Sequence, residues 1–152
     1  MELFFTTYIL PCLWAFCACV GFGLVFNILG RGILICGFGG AIGWFVYLLS
    51  MDMFQSDILA AFLAAAVIGI YSEIMARIRL CPATGYLQVA LLPLVPGAGV
   101  YHAMQHCLAG ESELFLDTLL HTLGFAAALS VGAMLATSVL RALLPRIQAH
   151  MR

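Results

Sequence analysis

The stretch Pro93-Leu94-Val95-Pro96-Gly97-Ala98-Gly99-Val100-Tyr101-His102 holds residue types that open a helix and could line what they open. Each proline lacks an N–H and clashes with the carbonyl four residues back, here those of Val89 and Leu92. Gly97 and Gly99 leave the backbone without a screening side chain. The chemistry this predicts is binding, not bond-making. Freed carbonyls would lie on one side, and the N–H groups of a new helix near Gly99 to Tyr101 on the other. A helix N-terminus attracts an anion such as a carboxylate. Pro93, Pro96, Gly97 and Gly99 would shape the site, and Tyr101 would offer a polar contact. A plain kink is the alternative, because membrane helices often hold proline and glycine.

Other polar residues frame this stretch. His102 and His106 stand four apart on one helical face, a spacing that could hold a metal. Cys107, Glu111, Glu113 and His121 follow, yet none has diagnostic spacing as a third ligand. No metal or other cofactor is therefore expected, and a membrane metalloenzyme built on His102, His106 and His121 is a remote alternative. These side chains are expected to line an aqueous path, where histidine could relay protons. Glu73 precedes Arg77 by four, the favourable order for a helical ion pair. It is read as an interfacial pair, with a coupling carboxylate as the sharper reading, since intramembrane acids are costly and often functional. Asn27 and Arg31, also four apart, could steer a carboxylate inward or simply set topology. There is no P-loop, hydrolytic triad or nucleophile motif, so no enzyme is expected.

The elements that must position these residues are membrane helices. The chain has 152 residues, of which 64% are hydrophobic and 9% charged. A soluble domain carries about 25% charged residues. The mean hydropathy of +1.12 points to an integral membrane protein, and a net charge of -1 leaves no footprint for nucleic acid. Met1-Glu2-Leu3 lacks the positive start of a secretory leader, so the first apolar run is taken as a retained helix. Six cysteines lie mostly in apolar runs without metal spacing and read as small hydrophobes. A crossing needs about 20 apolar residues. The charges cut the chain into five such runs, near 3–26, 32–49, 58–76, 83–108 and 118–140, in one domain over 1–152. The fourth run contains the break.

Five crossings place the termini on opposite sides. With the N-terminus outside, Arg31, then Arg77 and Arg79, then Arg141, Arg146 and Arg152 all fall inside. Asp52, Asp57, Glu111, Glu113 and Asp117 fall outside. The positive-inside rule therefore predicts N-out and C-in. Small residues let helices approach in lipid. They recur as Gly39 and Gly43 in the second run, as Ala61, Ala65 and Gly69 in the third, and as Gly124, Ala128, Gly132 and Ala136 in the fifth. Contacts within the chain are the plain expectation. The regularity of the fifth run also suggests contact with another subunit.

The combination of Gly21-Phe22-Gly23-Leu24-Val25-Phe26-Asn27, Arg31, Glu73 to Arg79, Pro82-Ala83 and Pro93-Leu94-Val95-Pro96-Gly97 resembles the threonine/serine exporter (ThrE-like) family. It is most similar to the small YjjB-like subunit of the split, two-component form. The resemblance covers nearly the whole chain. It implies export across the bacterial inner membrane of small carboxylates: threonine and serine, or dicarboxylates such as succinate. It also implies a larger partner subunit carrying a second set of five helices. It fixes no residue roles at the motif positions. An accessory membrane subunit, whose broken helix only shapes a contact, is the competing expectation.

Overall fold

Charged or left-handed residues bound most helix ends, and prolines bound the interruption after Leu91. The structure, a computed structural model, describes residues 5–28 and 30–150, with side chains up to 143. The extreme N-terminus and the side chains of Arg146 and Arg152, used above for the first run and for orientation, lie outside the described residues. Helix α1 (Phe5–Val25) opens with a π-turn over Phe5–Ile9, which accommodates Pro11 in the following turn. Then come α2 (Arg31–Phe54), α3 (Asp57–Arg79), α4 (Ala83–Leu91), α5 (Gly97–Ala109) and α6 (Ser112–His150). A 3-10 turn over Leu92–Leu94 extends α4. No strand occurs among the described residues.

Several helices end on a left-handed residue, which turns the chain back within a few positions. Gln55 has φ 50°, Leu80 φ 54° and Gly110 φ 78°. Asn27, with φ 56°, does the same after α1, and its N–H donates to the Leu24 carbonyl at 3.0 Å. The helices outrun the apolar segments, because their end turns can sit at the headgroups. Asp52, expected in a loop, lies in the last turns of α2, where the Tyr8 hydroxyl donates to its carboxylate. Asp57, also expected in a loop, opens α3, where a carboxylate suits the helix dipole.

Four helices are long and apolar enough to cross a membrane. The pair Ala83–Leu94 and Gly97–Ala109 passes the same test only together, bent by 49°. That this pair makes a crossing follows from packing. Helices α3 and α6 run parallel: Asp57 faces His121, Ile58 faces Gly124, Gly69 faces Ala133 and Ala136, and Glu73 meets Arg141. The chain between them must therefore return to the end where α3 began. Four continuous candidate crossings result, and a fifth where the bent pair counts as one span.

Small residues make this packing possible. An added Cβ would meet Tyr86 at Gly32, Ala90 and Tyr71 at Gly39, and Ile68 at Gly43. These glycines let α4 lie against α2. Ala61, Ala64, Ala65 and Ile68 of α3 are fully buried, with Ala90, Leu94, Leu129 and Ala133 beside them. The small face of α6 is spent inside the chain, on α3. This corrects the expectation that it meets another subunit. Gly132 shows why: a Cβ there would be driven into the Phe62 carbonyl, which is backbone and cannot yield. Gly132→Val should destabilise the fold by about 1–3 kcal/mol, as overpacking does. Gly97→Ala, with nothing within 4 Å of the added carbon, should be nearly neutral. Thermal melting of the two variants checks the contrast.

Candidate functional site

The break begins where Pro93 follows Leu92. Helix α4 gives way to the 3-10 turn, Val95 is extended, and α5 starts at Gly97. The carbonyls expected to be free are in fact used. That of Val89 accepts the Leu92 N–H and the Cys19 thiol, the latter at 3.2 Å. That of Leu92 accepts the Val95 N–H at 3.2 Å. Cys19 is fully buried and serves here as a donor as well as a small apolar group. Lipid offers no partner to a bare carbonyl, so the chain supplies one. The N–H side is different. Gly97 donates to Val95 at 2.7 Å and Val100 to Pro96 at 3.2 Å, while Ala98 and Gly99 make no backbone bond around the break among the described residues.

A cavity of about 420 Å³ is lined by both of these residues. Such a volume is in the range that holds small ligands. The break forms one wall, from Pro93 to Gly99. Trp44 and Tyr47 of α2 form another, Asp57 caps it from α3, and His121, Thr122 and Phe125 of α6 close it. Gly99 is required here by close approach, since a Cβ would lie 2.5 Å from the Thr122 hydroxyl oxygen. Its polar groups converge on one carboxylate. The Tyr47 hydroxyl donates to Asp57 Oδ1 at 2.9 Å, and His121 Nε2 lies 3.7 Å from Asp57 Oδ2. Aromatic rings pack around that carboxylate's side of the cavity: Trp44 on Tyr47 at 5.7 Å, and Tyr47 on Phe125 at 6.1 Å. The Trp44 indole N–H is buried without a partner.

Two further cavities border the same break. One, of about 360 Å³, is apolar and lies between α1 and the wall made by Trp44 and Pro93. The other, of about 210 Å³, lies between Val95, Pro96 and α6 near Ser130. The main cavity spans the depth from Leu94, which lies beside Gly43 and Ile68, to Asp57. Eleven residues of α3 separate Ile68 from Asp57, about 16 Å of helix. The cavity therefore sits in the half of the bundle nearer the acidic end.

The residues singled out from sequence divide between three places. Pro93, Pro96 and Gly99 line the cavity, and Gly97 starts the helix facing it. Tyr101 does not line it. It is 62% exposed on α5, stacked edge-on against His102 at 5.6 Å. Two residues along a helix turn the side chain by about 200°, so Gly99 and Tyr101 face opposite ways. Asn27 and Arg31 lie at the other end of the bundle, where Gly32 approaches Tyr86 of α4. Glu73 and Arg77 pair at 3.2 Å, also at that end, and Arg141 joins them at 3.2 Å. His102 bonds Gln105 at 3.1 Å and His106 bonds Glu111 at 2.6 Å, so the two histidines take separate partners.

Sequence reasoning misses Asp57 and Tyr47 as site residues; it names His121, as a side chain on an aqueous path or, remotely, a metal ligand, but not as a partner of Asp57. The signal for Asp57 lay in its position: it is the acid that opens the third run, beside the polar end of the fourth.

These features define a multi-pass α-helical membrane protein with a bent helix pair beside a largely apolar cavity that carries one carboxylate. The chain belongs to the threonine/serine exporter family, ThrE, whose profile matches residues 11–139. It is similar to an uncharacterized protein of Haemophilus influenzae (strain ATCC 51907 / DSM 11121 / KW20 / Rd), 27% identical over 104 residues. That match covers 68% of this chain and 35% of the relative, so the chain spans about a third of that curated relative's length. No solved structure matches it.

Proposed function

We propose that the chain is a working half of a secondary exporter for small amino acids or carboxylates in the bacterial inner membrane. The observation that carries this reading is the cavity at the broken crossing, with Asp57 at one side and the start of α5 at another. A zwitterion such as L-threonine fits that pair of features. Its ammonium group would meet Asp57, and its carboxylate the N–H groups of Ala98 and Gly99. Transporters built from repeats place substrate at discontinuous helices in the same manner. Serine and succinate are the other substrates to test.

The other half is a second set of helices, on a partner subunit or further along the same chain. Helix α5 supports this. Apart from its contact with α6 it is open, and it presents Tyr101, His102 and Gln105 outward within a crossing. Hydrocarbon penalises such groups, so protein or water must cover them. The accessory-subunit reading drew on the small face of α6, and α3 now occupies that face. Transport in proteoliposomes, with and without the other half, over threonine, serine and succinate tests the proposal. Saturable threonine efflux that needs this chain is the expected result. Efflux by the other half alone would reduce this chain to an accessory.

The proposed orientation, N-out and C-in, has its own test. Cys81 lies at the arginine end and Cys107 at the acidic end, both exposed. In cells with a permeable outer membrane, an impermeant maleimide should label Cys107. Cys81 should react only after the inner membrane is opened. The reverse pattern would invert the topology.

A further inference from the structure

We propose that Arg77 and Arg141 form a docking site for a small carboxylate, held by Glu73 as an internal stand-in that locks α3 to α6. The proposal rests on the exporter reading, for which it supplies the gate at the end opposite the cavity. Glu73 has a side chain only 8% exposed, although its partners are 36% and 59% exposed. Its Oε1 meets Arg77 Nη2 and its Oε2 meets Arg141 Nε, each at 3.2 Å. Two guanidinium groups thus share one carboxylate, and one positive charge is left over.

A donor is left over as well. Arg77 Nε is buried without a partner. Buried polar groups are nearly always bonded, so an orphan within an ion cluster calls for an explanation. A second carboxylate would supply the missing charge and, once Glu73 is released, an acceptor for that N–H. Guanidinium suits it, because its planar fork matches a carboxylate with two bonds. Both arginine side chains are partly exposed, at 36% and 59%, so an incoming anion can approach both from outside the seam.

The lock lies where it can act. Sixteen residues of α3 separate Glu73 from Asp57, about 24 Å. Between them the α3–α6 seam is closed: an added Cβ on Gly69 would lie 3.2 Å from Ala136 Cβ and 3.3 Å from the Ala133 carbonyl oxygen. Glu73–Arg141 is the charged link across this seam at the arginine end among the described residues. A carboxylate that takes the arginines releases Glu73 and removes that link. It favours the open seam because only there are both arginines free for it. A substrate that carries a carboxylate would then open the end from which export begins.

Thr137 reports on the seam, since it packs against Gly69 one turn before Arg141. The test uses the full chain in proteoliposomes, with Cys81 and Cys107 replaced by serine and Thr137→Cys introduced. Labelling by a hydrophilic maleimide is timed in sodium acetate, sodium chloride and methylammonium chloride at equal ionic strength. Acetate should speed labelling at least threefold over both chlorides. Glu73→Gln should raise the basal rate several-fold and abolish the acetate response. Arg141→Lys, which keeps the charge and loses the fork, should keep the slow basal rate and lose the response. Equal rates in the three salts, or an unchanged basal rate in well-folded Glu73→Gln, would overturn the gate. Threonine efflux with no acetate response removes the gate alone. An acetate response without efflux of any substrate removes the exporter reading and leaves the gate.

Discussion

Asp57→Asn is expected to lower the affinity for L-threonine by about 10–150-fold. The range follows from the roughly 1.5–3 kcal/mol that a hydrogen bond to a charged group is worth. Among the described residues Asp57 is the one carboxylate on the cavity, and Tyr47 and His121 hold it in place. The ammonium group of an amino acid has no other anionic partner there among the described residues. Asparagine keeps the shape and an acceptor for Tyr47 but removes the charge, so the fold should survive. The measurement is threonine efflux against internal concentration, with a thermal melt beside it. A raised half-saturation with an unchanged melt is the expected pair. Succinate, which has no ammonium group, should be insensitive to the change or gain from it. Equal losses for threonine and succinate would assign Asp57 a structural role. Tyr47→Phe should act in the same direction and more weakly, because it removes one donor and leaves the charge.

Replacing Pro96 and Gly97 together by alanine should abolish export while the protein still inserts and folds. A proline inside a helix costs about 3 kcal/mol of helical continuity, and glycine about 1 kcal/mol relative to alanine. Two alanines reverse much of that bias, and α5 can then extend back toward Leu94. Ala98 and Gly99 would spend their N–H groups on intrahelical bonds, and the 49° bend would relax. The cavity wall would straighten and the anion-facing groups would vanish together. Stability should hold or rise, which separates this loss from misfolding. Unchanged export would remove the break from the mechanism.

Much of the architecture was legible in the sequence, because the bilayer imposes it. Apolar runs of crossing length and the spacing of the arginines predict five passes. Pro93, Pro96, Gly97 and Gly99 mark the interruption, since few residue types disrupt a helix so strongly. The assembly of the site was less legible. Asp57 and His121 are 64 positions apart and meet because α3 and α6 run parallel, a consequence of the whole topology. Tyr101 adjoins the break in sequence yet faces away from the cavity, because helical phase outweighs proximity along the chain. Asn27 and Arg31 sit at the end of the bundle away from the cavity. The carbonyls of Val89 and Leu92 were expected to serve a ligand, and the fold had its own use for both. Arg141 completes the Glu73 pair from the C-terminal part of α6, and the expected placement of all arginines on one side is the signal for that contact.

The central claim is that the interrupted crossing encloses a wet, substrate-binding space. It is tested most directly at Ala98, which lines the cavity and is exposed to it. With Cys81 and Cys107 replaced by serine, Ala98→Cys should react quickly with a small charged methanethiosulfonate, and L-threonine should slow that reaction in a saturable way. A thiol at Ala98 no more reactive than Cys17, exposed on the apolar first helix, or one whose reactivity ignores threonine and every other substrate, would contradict the account.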